Sequence, residues 1–549
     1  MLKNMRFYDT DTRVQRYLVP ERIMLCRGDV SGAERLLEYR NRQIRLSEPN
    51  AVRMRTVGEE KAGILLDFGT EFHGAASIGV VTIKEAEQAR IRLCFGESAG
   101  EALSHIGEKG ATNDHSARDF EVTMRLCSTE TFGATGYRFL YIELLNECIL
   151  YLKTVQGVAI YQPYEYIGSF FCSDEKLNRI YDTAAYTCHL CLQNELWDGI
   201  KRDRVIWIGD LAPELKTIKY VFGEVPELYR GLDIMADEAK LPRWLNHIPT
   251  YSLWWLVNLY EWYFYTGNHS YLEAQRDYMI GLTEQVLGYV DENGYFTAGN
   301  FIDWPSKGST AADAGTKGLL WMALNASLNM AKKFGESALA ESCESVLARI
   351  GKNKESCGGL KQTASLLLLN DLADDDAEKV LSTGGAEGFS TFMSYYILSA
   401  MAKCCSEEET LSALRDYYGA MLDLGATTFW EDFDMKWIEN SCRVDEICDG
   451  TKKDIHGDHG KYCYQGFRHS LCHGWSSGPV PFLTEYVLGV DILEEGCKKI
   501  ALKPHLGGLS FAKGSIATPY GKVEIEHTRD ANGHIQTQVD APEEIEVIY

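Results

Sequence analysis

The chain has 549 residues, a composition typical of a globular protein (45% hydrophobic, 24% charged) and a formal net charge of −24. The negative charge argues against nucleic acid and anionic membrane surfaces as partners, because both bind basic protein surfaces. No window approaches the roughly 18 consecutive apolar residues of a membrane-spanning helix.

The first twenty residues, MLKNMRFYDTDTRVQRYLVP, contain no apolar run of signal-peptide length. Sixteen cysteines are scattered without the spacing of a disulfide framework. The C-x-x-C from Cys188 to Cys191 falls on an apolar helical stripe, which favours core packing over a metal or redox motif. We therefore predict a cytoplasmic protein whose cysteines serve as small core residues.

The N-terminal part, residues 1–165, is predicted to be a β-sandwich domain. Short apolar or alternating runs are separated by glycine, asparagine and charged turns. These runs are AGILLDF, ASIGVVTIK, ARIRLCFG, DFEVTMRL and GYRFLYIELL.

From about Ser173 the apolar period becomes helical, and we expect ten to twelve helices up to about Val490. No fixed repeat length is present, which disfavours a solenoid. By analogy, this number of helices suits an α/α six-fold barrel over residues 166–490. The strand pattern returns after Glu494 and predicts a small C-terminal β domain over residues 491–549. The predicted fold class is therefore mainly α with flanking β domains.

The stretch LWDGIKRDRVIWIGDLAPE, residues 196–214, crowds charges and indoles in a pattern unlike a surface helix. The helix from Ser173 is expected to end near Trp197. Asp210 suits a helix N-cap, and Pro213 suits the first turn of the next helix. The stretch is thus predicted to be a loop at the rim of the barrel cavity.

This loop has the chemistry of a sugar site. Asp198, Asp203 and Asp210 could converge there, with Trp207 as a flat apolar wall. Carboxylates accept hydrogen bonds from hydroxyl groups, and ring faces pack against the C–H faces of a sugar. A surface loop of salt bridges is the alternative interpretation.

Three further loops combine an indole with a polar group. Trp430 precedes Glu431 in GATTFWEDFD, and Asp303 precedes Trp304 in NFIDWPSKGS. The third loop, SLCHGWSSGP, contains His473 and Trp475. Each has a structural alternative, since buried tryptophans and satisfied histidines are common in helical cores. Four such loops in one helical region favour a carbohydrate site.

These motifs resemble the α-L-rhamnosidases of glycoside hydrolase family 78. DGIKRDRVIWIGD resembles the family signature Asp-Cys-Pro-Gln-Arg-Asp-Glu-Arg followed by Gly-Trp-x-Gly-Asp, and TTFWEDFD resembles its Thr-x-Trp-Glu segment. HGWSSGPVPFLTEYVLG, ATPYGKVEIEH and the segment from Phe95 to Asp119 are also similar to family regions. The resemblance covers most of the chain and implies an α/α six-fold barrel with inverting hydrolysis of terminal α-L-rhamnosides.

Through this resemblance, Asp203 matches the general acid and Glu431 the general base. The substrate-binding positions implied are Asp198, Arg202, Trp207, Asp210, Asp303, Trp304, Trp430, His473 and Trp475. The motif departs from the family, because Gly-Ile-Lys replaces Cys-Pro-Gln and the loop is one residue shorter. Asp203 therefore stands where the family has glutamate, and Arg204 occupies the other candidate position.

Inverting hydrolysis requires a protonated acid and an ionised base, with carboxyl groups roughly 6.5–9.5 Å apart. The bases Lys201, Arg202 and Arg204 would lower the pKa of Asp203, so they must point away or pair with other carboxylates. We expect Arg202 to pair with a carboxylate of its own loop. Glu431 needs only to stay ionised, which suits a polar setting.

The expected partner is a small-molecule carbohydrate, a rhamnoside, with a homodimer as one possible assembly. No cofactor or metal is expected, because metal-ligand spacings, a phosphate loop and a dinucleotide fingerprint are absent from the sequence. Two alternatives stay open. One is a glycosidase of the same barrel for another deoxy sugar or a uronic acid, and the other is an inactive carbohydrate-binding relative.

Overall fold

The computed structural model describes residues 11–45, 47–462 and 464–549. Residues 1–10, which carry half of the segment tested for a signal peptide, lie outside this described part. The described chain forms a β-rich N-terminal region, a helical region and a small C-terminal β region, in the predicted order.

Nine strands of the N-terminal region are hydrogen-bonded into one sheet rather than two separate ones. The strands are β1 (Val14–Leu18), β2 (Arg22–Arg27), β3 (Asp29–Ser31), β4 (Val52–Thr56), β5 (Gly63–Lys84), β6 (Ala89–Gly96), β7 (Asp119–Met124), β8 (Ser128–Leu144) and β9 (Cys148–Tyr161). The long strand β5 pairs with β2, β8 and β9, and its pairing with β8 shifts register twice. Such irregularities bend strands, which lets one sheet enclose a core of its own apolar side chains. A short helix, α1 (Ala99–Leu103), follows β6.

The helical region contains thirteen α-helices within the described residues. They are α2 (Glu175–Cys191), α3 (Leu211–Val221), α4 (Pro226–Glu238), α5 (Pro249–Thr266), α6 (His269–Ala274), α7 (Arg276–Gly288), α8 (Thr310–Phe334), α9 (Ser337–Ile350), α10 (Lys361–Leu369), α11 (Asp376–Ser382), α12 (Ser394–Cys404), α13 (Glu407–Asp423) and α14 (Pro479–Phe482).

Six of these helices form a closed ring. The contacts run α3–α5–α8–α10–α12–α14 and return from α14 to α3. The remaining helices include α2, α9, α11 and α13, which pack outside the ring. Every residue of α3 is buried, because a ring helix is covered by its ring neighbours, by the outer layer and by the barrel interior. The helical barrel predicted from the count of helices is therefore present.

The C-terminal region adds two small sheets. Strand β10 (Ser169–Cys172), which precedes the first barrel helix, pairs with β17 (Phe511–Thr518). The sheet continues through β18 (Gly521–Arg529) to β19 (Ile535–Asp540). The other sheet joins β15 (Val490–Ile492), β16 (Lys499–Leu502) and β20 (Glu546–Ile548). Two-residue strands in the loop before α14 form two ladders, β11 (Ser441–Cys442) with β12 (Lys453–Asp454) and β13 (Gly460–Lys461) with β14 (Tyr464–Gln465).

The cysteines follow the sequence prediction with one correction. Cys188 and Cys191 are fully buried in the barrel, as expected. Cys442 and Cys448, however, are disulfide-bonded, since a short loop brings their Cα atoms to 6.3 Å. Across the described residues, no helix has the length and apolar character needed to cross a membrane.

Candidate functional site

The loops singled out in the sequence lie at one end of the barrel. Asp210 directly precedes α3, and Asp303 precedes α8 across a short turn. His473 precedes α14, and Glu431 lies in the loop between α13 and α14. Since the helices of the ring start at this end, their amino termini bring the four loops together around the barrel axis.

The loop from Asp198 to Val205 is closed by its own hydrogen bonds. The Asp198 N–H donates to the Val205 carbonyl at 3.2 Å, and the Val205 N–H donates to Asp198 Oδ1 at 3.2 Å. Gly474 donates its N–H to the Asp198 carbonyl at 2.7 Å, which ties this loop to the His473 loop. Asp203 and Arg204 both have positive φ (53° and 58°), a strained conformation that marks functional sites.

Two local predictions for this stretch need correction. The helix before it, α2, ends at Cys191 rather than near Trp197, because the chain turns away through a bridge between Leu192 and Leu196. Asp210 occupies the N-cap position but its side chain does not cap α3. Its Oδ1 instead accepts a hydrogen bond from the Tyr251 hydroxyl at 2.9 Å.

Arg202 is paired, but with a different partner from the one predicted. Its Nη2 donates to Glu431 Oε1 at 2.6 Å, across 229 residues of sequence, instead of pairing with a carboxylate of its own loop. The Ser470 N–H donates to Glu431 Oε2 at 3.1 Å. Both charged side chains are almost fully buried, so the polar setting expected for Glu431 consists of protein groups rather than of solvent. Although burial opposes it, the Glu431 charge raises the pKa of Arg202.

Three buried carboxyl groups stand beside this ion pair. Burial raises the pKa of Asp198 well above its ordinary value, and the Asp210 and Asp203 charges add to the effect. Burial likewise raises the pKa of Asp210, which the Tyr251 hydrogen bond partly opposes. Burial also raises the pKa of Glu214. These groups therefore tend towards the neutral form, in which a carboxyl group both donates and accepts hydrogen bonds.

His473 lies at the centre of the cluster. Its Nε2 is 3.5 Å from Glu431 Oε1, 3.7 Å from Asp198 Oδ2 and 3.9 Å from Asp210 Oδ2. Burial lowers its pKa well below the ordinary value, and the Arg202 charge adds to this, so the ring is neutral. Its Nδ1 and the Nε of Arg202 are buried without a hydrogen-bond partner in the described chain. Buried unpaired polar atoms of this kind suit a site for a polar ligand.

Asp203 lies at the outer edge of the same cluster. Its side chain is 21% exposed, whereas that of Glu431 is 1% exposed. The charges of both groups act on Asp198 and on Asp210, which places all four carboxyl groups within electrostatic range of one another. The Asp203 carboxylate also lies 3.0 Å from Nδ1 of His115, a residue of the N-terminal region.

The predicted aromatic residues divide into two groups. Trp207 is partly buried and edge-on to Tyr251, and Trp304 is partly buried and stacked on Tyr462 at 5.8 Å. Trp430 and Trp475 instead lie in the core, 1% and 4% exposed. Their positions argue against the predicted contact of these two rings with substrate.

The two core indoles support the Glu431 loop from its buried side. The Trp475 Nε1–H donates to the Glu431 carbonyl at 2.9 Å, and the Trp475 ring stacks on Phe392. Trp430 packs edge-on against Phe433. An indole next to a carboxylate in sequence therefore marks the loop correctly, although the indole itself faces the core.

Asp303 is buried beside Trp304. Its Oδ1 accepts the Trp304 N–H at 2.7 Å, and its Oδ2 accepts a hydrogen bond from the Ser390 hydroxyl. Burial raises the pKa of Asp303 to about 7. The next residue after Ser390, Thr391, donates its hydroxyl to the Glu431 carbonyl at 2.6 Å. This short segment thus connects the Asp303 wall to the Glu431 loop.

Three site residues escaped the sequence prediction. Tyr251 binds Asp210, Tyr464 lies under the Arg202 guanidinium with its ring centre 4.8 Å away, and His115 contacts Asp203. Tyrosine and histidine are frequent in cores, so their types alone gave no signal. They come from an inner helix, a hairpin and another domain, and only the assembled fold brings them here.

Lys201 anchors the motif loop to the N-terminal region. Its Nζ lies 2.8 Å from Glu101 Oε1 and 3.2 Å from Glu97 Oε2, and it donates to the Phe467 and His469 carbonyls. Glu97, Glu101 and His456 are close enough together to hold a cation. The Lys201 ammonium supplies the positive charge between the two carboxylates, so this cluster works as a structural anchor.

Comparisons with known proteins identify two domains of this chain. Residues 165–350 match the bacterial alpha-L-rhamnosidase 6 hairpin glycosidase domain, and residues 489–548 match the bacterial alpha-L-rhamnosidase C-terminal domain. A comparison with proteins of curated function gives no match.

Solved structures share the fold. A GH78 family rhamnosidase of Bacillus sp. GL1 has a TM-score of 0.74 at 21% identity, covering 94% of this chain and 55% of that one. A rhamnose-bound rhamnosidase from Klebsiella oxytoca has a TM-score of 0.67 at 18% identity, covering 86% and 96%. An L-rhamnose complex of a Streptomyces avermitilis alpha-L-rhamnosidase has a TM-score of 0.67 at 15% identity, covering 88% and 48%. This chain thus spans about half the length of the Bacillus and Streptomyces proteins.

Proposed function

We propose that this chain, which belongs to the bacterial α-L-rhamnosidase family by its six-hairpin and C-terminal domains, is a glycoside hydrolase that releases terminal α-L-rhamnose. Hydrolysis proceeds with inversion, with Asp203 as general acid and Glu431 as general base. The observation that carries the proposal is the buried cluster of carboxyl groups in which Glu431 is fixed by Arg202, while Asp203 stands at the more exposed edge of the cluster.

The positions of the two carboxyl groups suit their different tasks. Glu431 is held at both oxygens, by Arg202 and by the Ser470 N–H, so its orientation towards a water molecule is fixed. An ion pair favours the charged form of both partners, as a base requires. Asp203 is more exposed, as suits an acid that meets the leaving group where it departs to solvent.

The reaction then follows from these positions. Asp203 gives its proton to the glycosidic oxygen as the bond to the anomeric carbon breaks. Glu431 takes a proton from the water molecule that attacks the opposite face of that carbon. Asp198 and Asp210, which tend to be neutral, hydrogen-bond the sugar hydroxyls, and neutral His473 has an unpaired Nδ1 for the same purpose.

The sugar assignment is supported by the character of the walls. Trp207 is a partly exposed indole, and an apolar wall of this kind suits the methyl group of rhamnose. Arg202 is already paired with Glu431. A uronic acid would require a second cation facing its carboxylate, and Lys307, whose ammonium lies 4.4 Å from the centre of the Trp304 ring, is the residue on which that alternative depends.

The test is proton NMR of the first product released from an aryl α-L-rhamnoside. We expect the β-anomer to form first and the α-anomer to appear only by mutarotation. Initial release of the α-anomer would contradict inversion. Turnover of a different aryl glycoside instead would support the alternative sugar, and turnover of none would support a non-catalytic binding protein.

A further inference from the structure

A loop of the N-terminal region forms hydrogen bonds with the segment that carries the proposed general acid, Asp203. The loop, residues 113–118, makes three contacts with residues 201–204. The Ser116 hydroxyl donates to the Lys201 carbonyl at 3.1 Å, and the Asp203 N–H donates to His115 Nδ1 at 3.0 Å. Arg204 donates through Nη2 to the His115 carbonyl. The acid segment is therefore held from outside the barrel as well as from within it.

The backbone of this contact is strained on both sides. His115 has φ of 66°, and the two consecutive residues Asp203 and Arg204 also have positive φ. Non-glycine residues are uncommon in this region and persist where surrounding contacts fix them. Asn113 stabilises the loop by accepting the N–H groups of Arg118 and Asp119, both at 3.0 Å. The loop is thus built to present the imidazole at one position.

The geometry also fixes the tautomer of the neutral ring. Nδ1 lies 3.0 Å from the Asp203 backbone nitrogen and 3.0 Å from Asp203 Oδ1. The backbone N–H is a permanent donor, so Nδ1 carries the lone pair, which assigns the proton of the neutral ring to Nε2. A ring nitrogen has one lone pair, so the imidazole holds Asp203 through its backbone N–H and not through its carboxyl group.

The charged groups around the contact are compatible with this arrangement. Arg204 binds the Ala134 carbonyl at 2.7 Å as well as the His115 carbonyl. Arg202 is committed to Glu431. Asp114, beside the imidazole, pairs with Arg468 at 3.4 Å. On the barrel side, Asp198, Asp210 and His473 also feel the Asp203 charge.

We propose that His115 is a positioning residue for the general acid, its imidazole accepting the Asp203 backbone N–H and so fixing where the Asp203 side chain stands. The inference rests on the proposed function, since it assigns a task to the acid of that reaction. The imidazole thus acts on the reaction through the position of Asp203, which decides whether its proton reaches the leaving oxygen.

The kinetic test compares His115→Gly with His115→Asn. Glycine removes the imidazole and tolerates the positive φ, so the variant separates loss of the ring from backbone strain. Asparagine also tolerates this conformation and keeps an acceptor near the Nδ1 position. The matched control is His247→Gly, the same change at an exposed histidine with φ of 60°.

The readout is kcat/KM on two α-L-rhamnosides, one with a dinitrophenyl leaving group and one with an alkyl leaving group. A dinitrophenolate departs without protonation, whereas an alkoxide needs the acid. We expect His115→Gly to lose about tenfold or more on the alkyl substrate and little on the dinitrophenyl one. His115→Asn should recover most of the loss, and His247→Gly should match the wild type. Equal losses on both substrates, or no loss on the alkyl one, would overturn the proposal.

A second readout does not depend on activity. In the wild-type protein labelled with ¹⁵N-histidine, NMR shifts of the ring nitrogens report the tautomer, and the His115 signals are those missing from His115→Asn. We expect the Nε2–H tautomer, with a change in the Nδ1 shift in Asp203→Ala. An Nδ1–H or doubly protonated ring near neutral pH overturns the proposal. An inactive wild type with the expected tautomer would refute the rhamnosidase function alone.

Discussion

Replacing Lys201 by methionine tests the anchor between the N-terminal region and the motif loop. The Lys201 side chain is 6% exposed, and its ammonium forms ion pairs with the fully buried carboxylates of Glu97 and Glu101. Removing one partner of a buried ion pair costs roughly 3–5 kcal/mol, because it leaves an uncompensated buried charge. Glu97 keeps hydrogen bonds from Ser470 and Leu471, and Glu101 keeps Arg118 at 3.5 Å, so we expect the lower half of that range.

The magnitude can be converted into a melting temperature. The entropy of unfolding is about 1.2 kcal/mol/K for a chain of 549 residues that unfolds as one unit. The expected loss is then about 3 °C in Tm, and more if the N-terminal and barrel regions melt separately. The control is Lys176→Met, which breaks a surface pair with Asp423 (36% and 62% exposed) and costs about 0–1 kcal/mol.

The dependence on pH gives a second, independent check. Burial raises the pKa of Glu97, which Lys201 opposes, so removing the lysine raises that pKa further. When folding raises the pKa of a carboxyl group, the free energy of unfolding of the protein falls as pH increases. The deficit of Lys201→Met should therefore be larger near pH 8 than near pH 5, as measured by differential scanning calorimetry. A loss equal to that of Lys176→Met at both pH values would refute the reasoning.

Three further outcomes are expected. Asp203→Asn and Glu431→Gln should each lower kcat on an alkyl rhamnoside by several orders of magnitude while circular dichroism stays that of the wild type; near-normal turnover would refute the roles assigned. Asp303→Asn should be more stable than the wild type by a margin that grows to about 4 kcal/mol as pH rises from about 4 to 7, measured as a rising Tm difference, because the wild-type carboxyl ionises in the unfolded chain but stays protonated in the fold up to its pKa of about 7; a constant difference across this range would contradict it. Trp304→Ala should raise KM with little change in Tm, whereas Trp430→Phe should lower Tm with little change in KM, and the opposite pattern would place the two rings wrongly.

The N-terminal region takes part in the site rather than only preceding it. Lys201, from the motif loop, is held by Glu97 and Glu101, and Asp203 is held by His115. The Glu97 carboxylate also binds Ser470, whose N–H fixes Glu431. Both proposed catalytic groups are therefore oriented through contacts that begin in the β-rich region. A helical region expressed alone should lack this orientation.

The sequence by itself determined the classes of structure and the loops that matter. Apolar periods of two and of 3.6 residues separate the β-rich and helical regions, since they report which side chains can share a buried face. The pairing of indoles with carboxylates marked loops that do meet at one end of the barrel. Local patterns are sufficient for this, because elements and loop chemistry depend on residues close in sequence.

The tertiary structure decided which groups touch. Arg202 pairs with Glu431, 229 residues away, rather than with a neighbour in its own loop. Trp430 faces the core although it adjoins Glu431, and His115 reaches Asp203 from another domain. Ring closure and domain packing set these contacts, and both depend on distances that no local pattern of residues encodes. Burial decides which carboxylate pairs with Arg202. A buried arginine is costly unless a carboxylate lies within hydrogen-bond distance, and the fold places Glu431 there.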